Sequence, residues 1–315
     1  MAYNNSNQNK SRNSQQQQDD IKTKPEPFIP LSSETRKKLS NSNCNFSLYS
    51  PRMVSWNFVK DKSENKKEKY KLEVDKSVIE NLFEQSERSF SAISGLLKKK
   101  NELQNAYISE LDSQGIKTFE FKAASTSPFI TGLGSGHPTE TGMILDRNTG
   151  LPYIPASSIK GVLRLSQAIN CADADGNVDE NDKRIVKYFG TTSEAQEAKR
   201  GQLVILDAYP EKVPKLNRDI MNPHFGKYYS GENRQPVETE SPVPIKFLTI
   251  KEGTTFVFRC AFMPLDNKTL SEAKRQEIQN DVIKMFKTAF ETVGFGGKTS
   301  IGYGRFKMPG EEKSS

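Results

Sequence analysis

Written out from Lys117, the hydrophobic patterns run strand, helix, strand, long insertion, strand, helix, strand. This order predicts an α+β chain of ferredoxin-like β-α-β-β-α-β topology. Two further observations frame it. Helical periodicity precedes Lys117 and predicts an N-terminal helical extension, and the last helix runs into Val293–Phe306, VGFGGKTSIGYGRF, where five of fourteen residues are glycine. Glycine at that density implies backbone conformations or close approaches that a side chain would forbid. Lys298 and Arg305 within it suggest that what approaches is anionic.

At 315 residues the chain is long enough for a sizeable core. Its net charge of +7 is compatible with nucleic acid without establishing it. Cys44, Cys171 and Cys260 form no C-x-x-C pair and have only His137 and His224 to help them, so no zinc site, disulfide framework or other cofactor is expected. A reducing cytoplasm is the easier compartment. No run of about 18 apolar residues exists and the N-terminus lacks a signal-peptide core, so no membrane partner is expected.

Ten of the first twenty residues are Asn or Gln, and Pro25, Pro27 and Pro30 follow, a composition too polar to offset ordering entropy; residues 1–30 are read as a disordered tail. Residues 31–116 form the N-terminal extension. In it Leu48, Tyr49, Met53, Val54, Trp56 and Phe58 make an apolar cluster that should pack somewhere, and Lys60–Lys71 is a solvated charge run. From Ser77 the pattern turns helical to about Leu97 and resumes, or continues, through Leu111, with Ser77 and Glu80 as a capping box.

The ferredoxin-like domain, 117–308, opens with the alternating strand Lys117–Ala123. A loop of small residues, 131–138, and a hairpin around Asn148-Thr149-Gly150 lead into Pro155-Ala156-Ser157-Ser158, which marks a helix start with Ser157 or Ser158 as cap. Lys160 and Arg164, four apart, share a face just inside that N-terminus. Unpaired N–H groups, the helix dipole, two cations and hydroxyl donors together are what a phosphate oxygen needs, although an ordinary capped helix with two solvated cations fits the same residues.

The segment DADGNVDEND, 173–182, misses the calcium-loop pattern, with Val178 at the glycine position and Arg184 at that of the bidentate Glu, so it reads as an acidic surface loop. Gln202–Ala208 is a buried strand. The long polar excursion Tyr209–Pro244 follows, in which His224, Lys227 and adjacent tyrosines could stack on bases or dock a partner. Thr254–Met263 is a strand, Thr269 and Glu272 box the start of a helix with Ile278, Val282, Met285, Phe286, Ala289 and Val293 on one face, and Gly294 caps it. Tyr303–Met308 is the last strand, and 309–315 is a charged tail.

Gly297-Lys298-Thr299 mimics the end of a nucleotide-binding P-loop. Thr292, however, stands where the first glycine belongs, and the loop follows a helix instead of opening one. Two readings remain: a helix C-cap with a tight turn, or a loop that contacts RNA or phosphate.

GFGGKTSIGYGRF after the last helix resembles the C-terminal glycine loop of the RAMP superfamily of CRISPR-associated proteins. Thr131–Arg164, TGLGSGHPTETGMILDRNTGLPYIPASSIKGVLR, resembles the hallmark block of backbone subunits of type III effector complexes. With LVILDAYPE (203–211), DIMNPHFGKYY (219–229) and SPVPIKFLTI (241–250), the set is similar to the sixth-subunit family of type III-B Cmr complexes. The resemblance runs in segments over 117–308 and implies a RAMP fold with long insertions, whose sheet is also the RNA-recognition-motif platform.

It further implies a non-enzymatic crRNA-binding subunit that caps the backbone at the end distal to the crRNA 5′ tag, beside other RAMP subunits and complementary target RNA. Ser157, Ser158, Lys160 and Arg164 on one side, and Gly294, Gly296, Gly297 and Lys298 on the other, would form one groove for the RNA backbone, with His137 and Lys227 near it. Some backbone subunits of this superfamily cut target RNA with an aspartate upstream of the LP-x-IP block. Glu140 stands near that place here, with Asp146 later, a departure that argues against cleavage. The alternative is a ribonuclease using Glu140, or guide processing with His137 or His224 as general base.

Overall fold

The computed structural model describes residues 28–40, 44–60, 70–179, 181–192, 197–222, 231, 234–235, 244–265 and 270–308. The disordered-tail expectation therefore lies outside the described residues, except at 28–30. There Phe28 forms a bridge with Trp56 and stacks on Phe58 with ring centroids 5.3 Å apart. Most of the Lys60–Lys71 run and the 309–315 tail also lie outside them.

The extension holds α1 (Ser33–Leu39), α2 (Phe46–Tyr49), the antiparallel pair β1 (Trp56–Lys60) and β2 (Tyr70–Val74), α3 (Val78–Ala92) and α4 (Ser94–Ser113). The apolar cluster of 48–58 packs within the chain: Tyr49, Met53 and Val54 are buried, and Phe46 meets Phe90 of α3 edge-on at 5.3 Å. Leu48 stays exposed.

The capping box expected at Ser77 and Glu80 does not form. Ser77 caps nothing with its side chain, because its amide (2.8 Å) and hydroxyl both bind Asp75, and Glu80 instead pairs with Lys246 at 2.8 Å. The helical stretch also breaks at Ile93, just after Ser91, whose hydroxyl donates back to the Glu87 carbonyl at 2.9 Å and competes with the helix ladder.

The central sheet is built from β3 (Lys117–Ser125), β4 (Leu203–Ile205), β5 (Tyr209–Pro210), β8 (Thr255–Phe262) and β9 (Phe306–Lys307). Its order is β4-β8-β3-β9, all antiparallel, with β5 also on β8. This is the ferredoxin-like arrangement: the second and third core strands pair, and the first lies between the third and fourth. One face carries Phe121 opposite Phe258, packed on α7 (Glu272–Thr288), with Phe121 and Phe286 rings 4.3 Å apart. Around them Phe256, Phe290, Phe295 and Phe306 are buried, each burial worth about 1.5–3 kcal/mol. α5 (Ala156–Cys171) and α6 (Lys183–Phe189) pack on the same side, where the Tyr188 hydroxyl donates to Asp281 of α7 at 2.6 Å.

The opposite face, which an RNA-recognition motif leaves open for stacking, is occupied by α4. Arg259 of β8, 2% exposed, donates from it to Asn105 (2.8 Å), Asn101 (3.1 Å) and Gln104 (2.8 Å) of α4 and pairs with Glu120 of β3 at 3.0 Å. The register puts Glu120, Lys122, Val257 and Arg259 on this side, and the aromatic beside them, Tyr209 opposite Val257, is buried under Lys100 of α4.

The excursion after β5 is more ordered than its polar composition suggests. β6 (Leu216–Met221) pairs antiparallel with β7 (Ile245–Ile250) as a separate two-stranded sheet. Its strand signal is masked in sequence by Asn217, Arg218 and Asp219. α7 begins at Glu272 behind Ser271 with no side-chain cap, and Thr269 of the expected box lies outside the described residues.

Candidate nucleic-acid interface

Behind α7 the chain makes a π-helical turn, Ala289–Val293, and Gly294 closes it at φ 78° with its amide on the Ala289 carbonyl at 2.8 Å. The close approaches that the glycines permit are to the protein itself. At Gly296 (φ 82°) an added Cβ would run into the Ile130 carbonyl, the acceptor of the Gly297 amide at 2.8 Å. At Gly304 (φ 66°) it would run into the Phe295 carbonyl.

The two cations of the loop also turn inward. Arg305 donates to the carbonyls of Thr292 and Thr299, the latter at 3.2 Å, which makes it a strut of the loop and not an anion contact. Lys298 takes a left-handed backbone (φ 61°), and its ammonium lies 3.7 Å from the Met221 sulfur and 5.5 Å from the Phe247 ring. Together with the Tyr303 hydroxyl on Asp219 (2.5 Å), these contacts clamp the glycine loop to the β6–β7 pair.

Neither serine caps α5. Pro155 holds the cap position, no side chain of the cap residue bonds the first turn, and Asp207 accepts from the Ala156 amide at 2.7 Å. Proline at this place has the extended backbone a cap needs but no side-chain acceptor, so the acceptor comes from the end of the neighbouring strand. An anion at this N-terminus would meet a carboxylate already in place. Ser157, Ser158, Lys160 and Gly161 are exposed, and nothing lies within 4 Å of where a Gly161 Cβ would be. Arg164, in contrast, is half-buried and donates to the Gly190 carbonyl at 3.2 Å.

In the 131–150 loop, His137 is held at both sides. Its Nδ1 accepts from the Thr139 amide at 3.2 Å, and burial lowers its pKa against a partly opposing contact with the Ser50 backbone. Glu140 is exposed in a left-handed turn at φ 68°. His224 and Lys227 lie outside the described residues.

Asp146 is a buried hub. It accepts from the Asn148 amide (2.9 Å), the Thr149 amide (2.8 Å) and hydroxyl (3.0 Å), and the Tyr209 hydroxyl (2.8 Å), with Lys100 at 3.5 Å. Burial alone would raise its pKa, but these bonds and the Lys100 charge outweigh it and hold the carboxyl below the usual range. A folded pKa below the unfolded one stabilises the fold above the ordinary carboxylate range, and that stability is lost as pH falls through the folded pKa. Asp146→Asn should cost roughly 1–3 kcal/mol at neutral pH and flatten the acid limb of stability, as read by urea unfolding at pH 7 and pH 3.

The carboxylates Asp207 and Asp219 carry roles that sequence reasoning did not assign, although both lie in segments it singled out. The signal for Asp207 is its place at the end of an apolar strand beside a helix start capped by proline.

A ferredoxin-like antiparallel sheet, a helix opening behind LP-x-IP and a glycine loop folded against the 128–130 segment define a class. Residues 122–307 match the model of the RAMP superfamily, and the chain belongs to that superfamily. Among its relatives it is similar to CRISPR system Cmr subunit Cmr6 of Pyrococcus furiosus, 30% identical over 255 residues that span 63% of this chain and 70% of that protein. It is also similar to CRISPR system CMR subunit Cmr6 of Saccharolobus solfataricus, 25% identical over 171 residues, 54% of this chain and 49% of that protein.

Among solved structures, the cryo-EM structure of the Type III-B Cmr-beta bound to cognate target RNA contains a chain that overlays at a TM-score of 0.49, with 21% identity over 80% of this chain and 77% of that one. The crystal structure of Cmr6 from Pyrococcus furiosus overlays at 0.36, with 26% identity over 61% and 98%.

Proposed function

We propose that this chain is a crRNA-binding structural subunit of a type III-B CRISPR effector complex. It caps the backbone beside other RAMP subunits and holds guide RNA through phosphate and sugar contacts. The similarity to a Cmr6 subunit over 63% of this chain, together with the superfamily match at residues 122–307, carries this reading. RNA is met on the loop side of the sheet, because α4 covers the other face. Exposed Lys160, with Ser157, Ser158 and the bare backbone of Gly161, presents a cation, hydroxyls and a close approach on one helix face.

The subunit does not cleave. His137 has its Nδ1 engaged by Thr139 and its other side against Ser50, so it is poorly placed to take a proton from a 2′-hydroxyl. Asp146 is buried in the turn that it organises. Binding of labelled guide RNA to the assembled complex should weaken linearly with log salt, by roughly 0.7 log units per phosphate contact. Lys160→Ala should lower affinity and shallow that slope by about one contact. RNA should remain intact in the presence of magnesium, whereas cleavage abolished by Glu140→Ala would establish the nuclease reading instead.

A further inference from the structure

α2 docks on the 146–150 turn and leaves a groove of about 440 Å³ between the extension and the glycine-rich loop. Small polar residues and backbone line much of it: Ser47, Ser50, Ser135, Gly136 and Gly142. Two hydrogen bonds and a close backbone approach hold α2 there. Asn45 donates to the carbonyls of Arg147 (2.9 Å) and Asn148 (3.1 Å), and Gly150 lets α2 approach where a Cβ would strike Asn45 and the Phe46 amide.

The groove carries uncompensated charge. Arg52 and Arg147 both line it, both are exposed, and no Asp or Glu is among the lining residues. Among the described residues neither arginine has an ion pair; Arg52 donates only to the Leu48 carbonyl of its own turn, at 3.2 Å. The cleft between α4 and the sheet differs, since Glu102, Glu120 and Glu211 offset its Lys98, Lys122, Lys212 and Arg259. At its inner end the groove shares Ser50, His137, Gly142, Met143 and Leu145 with a cavity of about 30 Å³, where the buried Thr141 hydroxyl has no partner among the described residues. An unmet buried hydroxyl costs about 1–3 kcal/mol and is a place where a ligand's polar edge can bond.

We propose that this groove holds one nucleotide of the bound RNA, its phosphate on Arg52 and Arg147 and its ribose or base edge on Ser47, Ser50 and Ser135, with a water in the adjoining cavity bridging to Thr141. A guanidinium meets a phosphate with two parallel hydrogen bonds, and the size suits a pocket for a ligand of this kind. The inference rests on the RNA-binding reading above and adds to it a part of the chain, Ser47–Arg52, that lies before the superfamily match at 122–307. The extension then forms half of an RNA site instead of serving only as packing. An acidic segment of a neighbouring subunit is the competing occupant, and the assembly readout below separates the two.

The test is the full chain carrying Arg52→Ala with Arg147→Ala, alone and assembled with its partner subunits, titrated with single-stranded RNA across salt. Affinity should fall about tenfold or more, and the slope should shrink by about 0.7 for one phosphate released. Replacing both arginines with lysine should recover part of the affinity, and melting curves should stay close to the parent's because both side chains are exposed. Unchanged affinity and slope, with the parent still binding RNA, would overturn the groove and leave the RNA-binding reading standing. Lost assembly with unchanged RNA affinity would also overturn it, in favour of an acidic protein partner. If the parent itself bound no RNA, both readings would fall.

Discussion

Gly304→Ala should destabilise the fold by more than about 3 kcal/mol. The left-handed backbone at φ 66° costs roughly 1–2 kcal/mol for any residue with a Cβ. The larger share comes from packing. Gly304 is buried between two strands of the loop: its carbonyl accepts from the Phe295 amide at 2.9 Å, and its amide donates to the Pro128 carbonyl at 3.0 Å. An added methyl would meet the Phe295 backbone, which cannot yield without moving Phe295 out of the aromatic core.

Gly302→Ala is the control. Its φ of 97° is as strained, yet nothing lies within 4 Å of the added atom, so only the conformational cost should appear. Equal losses for the two variants in urea unfolding would refute the packing account of the glycine loop.

Arg259→Ala should cost roughly 1–3 kcal/mol, the range for leaving polar partners unmet, because Glu120, 37% exposed, can turn to water. The guanidinium is 2% exposed and serves four side-chain acceptors at once, so its loss strands Asn101, Gln104, Asn105 and Glu120 at the junction of α4 with the sheet. Burial disfavours its charge, and Glu120 offsets part of that effect. Arg259→Lys should recover little, because one ammonium cannot span the same acceptors. The surface pair Lys122–Glu211 at 2.6 Å, 48% and 36% exposed, should contribute less than about 1 kcal/mol when either partner is removed. Chemical unfolding of the four variants separates the two cases, and protection of α4 amides from hydrogen exchange should fall only with the Arg259 changes.

Much of the fold was legible because periodicity and glycine placement report local geometry. Phe119 and Phe121 alternate with polar neighbours as a half-buried strand must, and Ile278, Val282, Met285, Phe286 and Ala289 fall on one helix face, as their burial bears out. What escaped was long-range. The pairing of β6 with β7 joins the apolar run Ile245–Ile250 to a segment, Leu216–Met221, whose own composition reads as loop. The cap of α5 comes from Asp207, fifty-one residues beyond the amide it accepts from, so the local serines drew the assignment.

The candidate site suffered most from this. Lys298 and Arg305 look like anion contacts in one dimension, but Arg305 holds the loop's own carbonyls and Lys298 rests on Met221 and Phe247. Arg52 and Arg147, ninety-five residues apart in sequence, share a groove only because Asn45 and Gly150 seat α2 on the turn.

The central claim is that this chain holds guide RNA within the assembled complex. Ultraviolet cross-linking of the complex loaded with 4-thiouridine guide RNA, followed by peptide mapping, tests it most directly. The account predicts adducts on peptides covering Ser157–Arg164 and the 131–150 loop, with none on the face covered by α4. Adducts confined to other subunits, or found on the sheet face around Glu120 and Arg259, would contradict it.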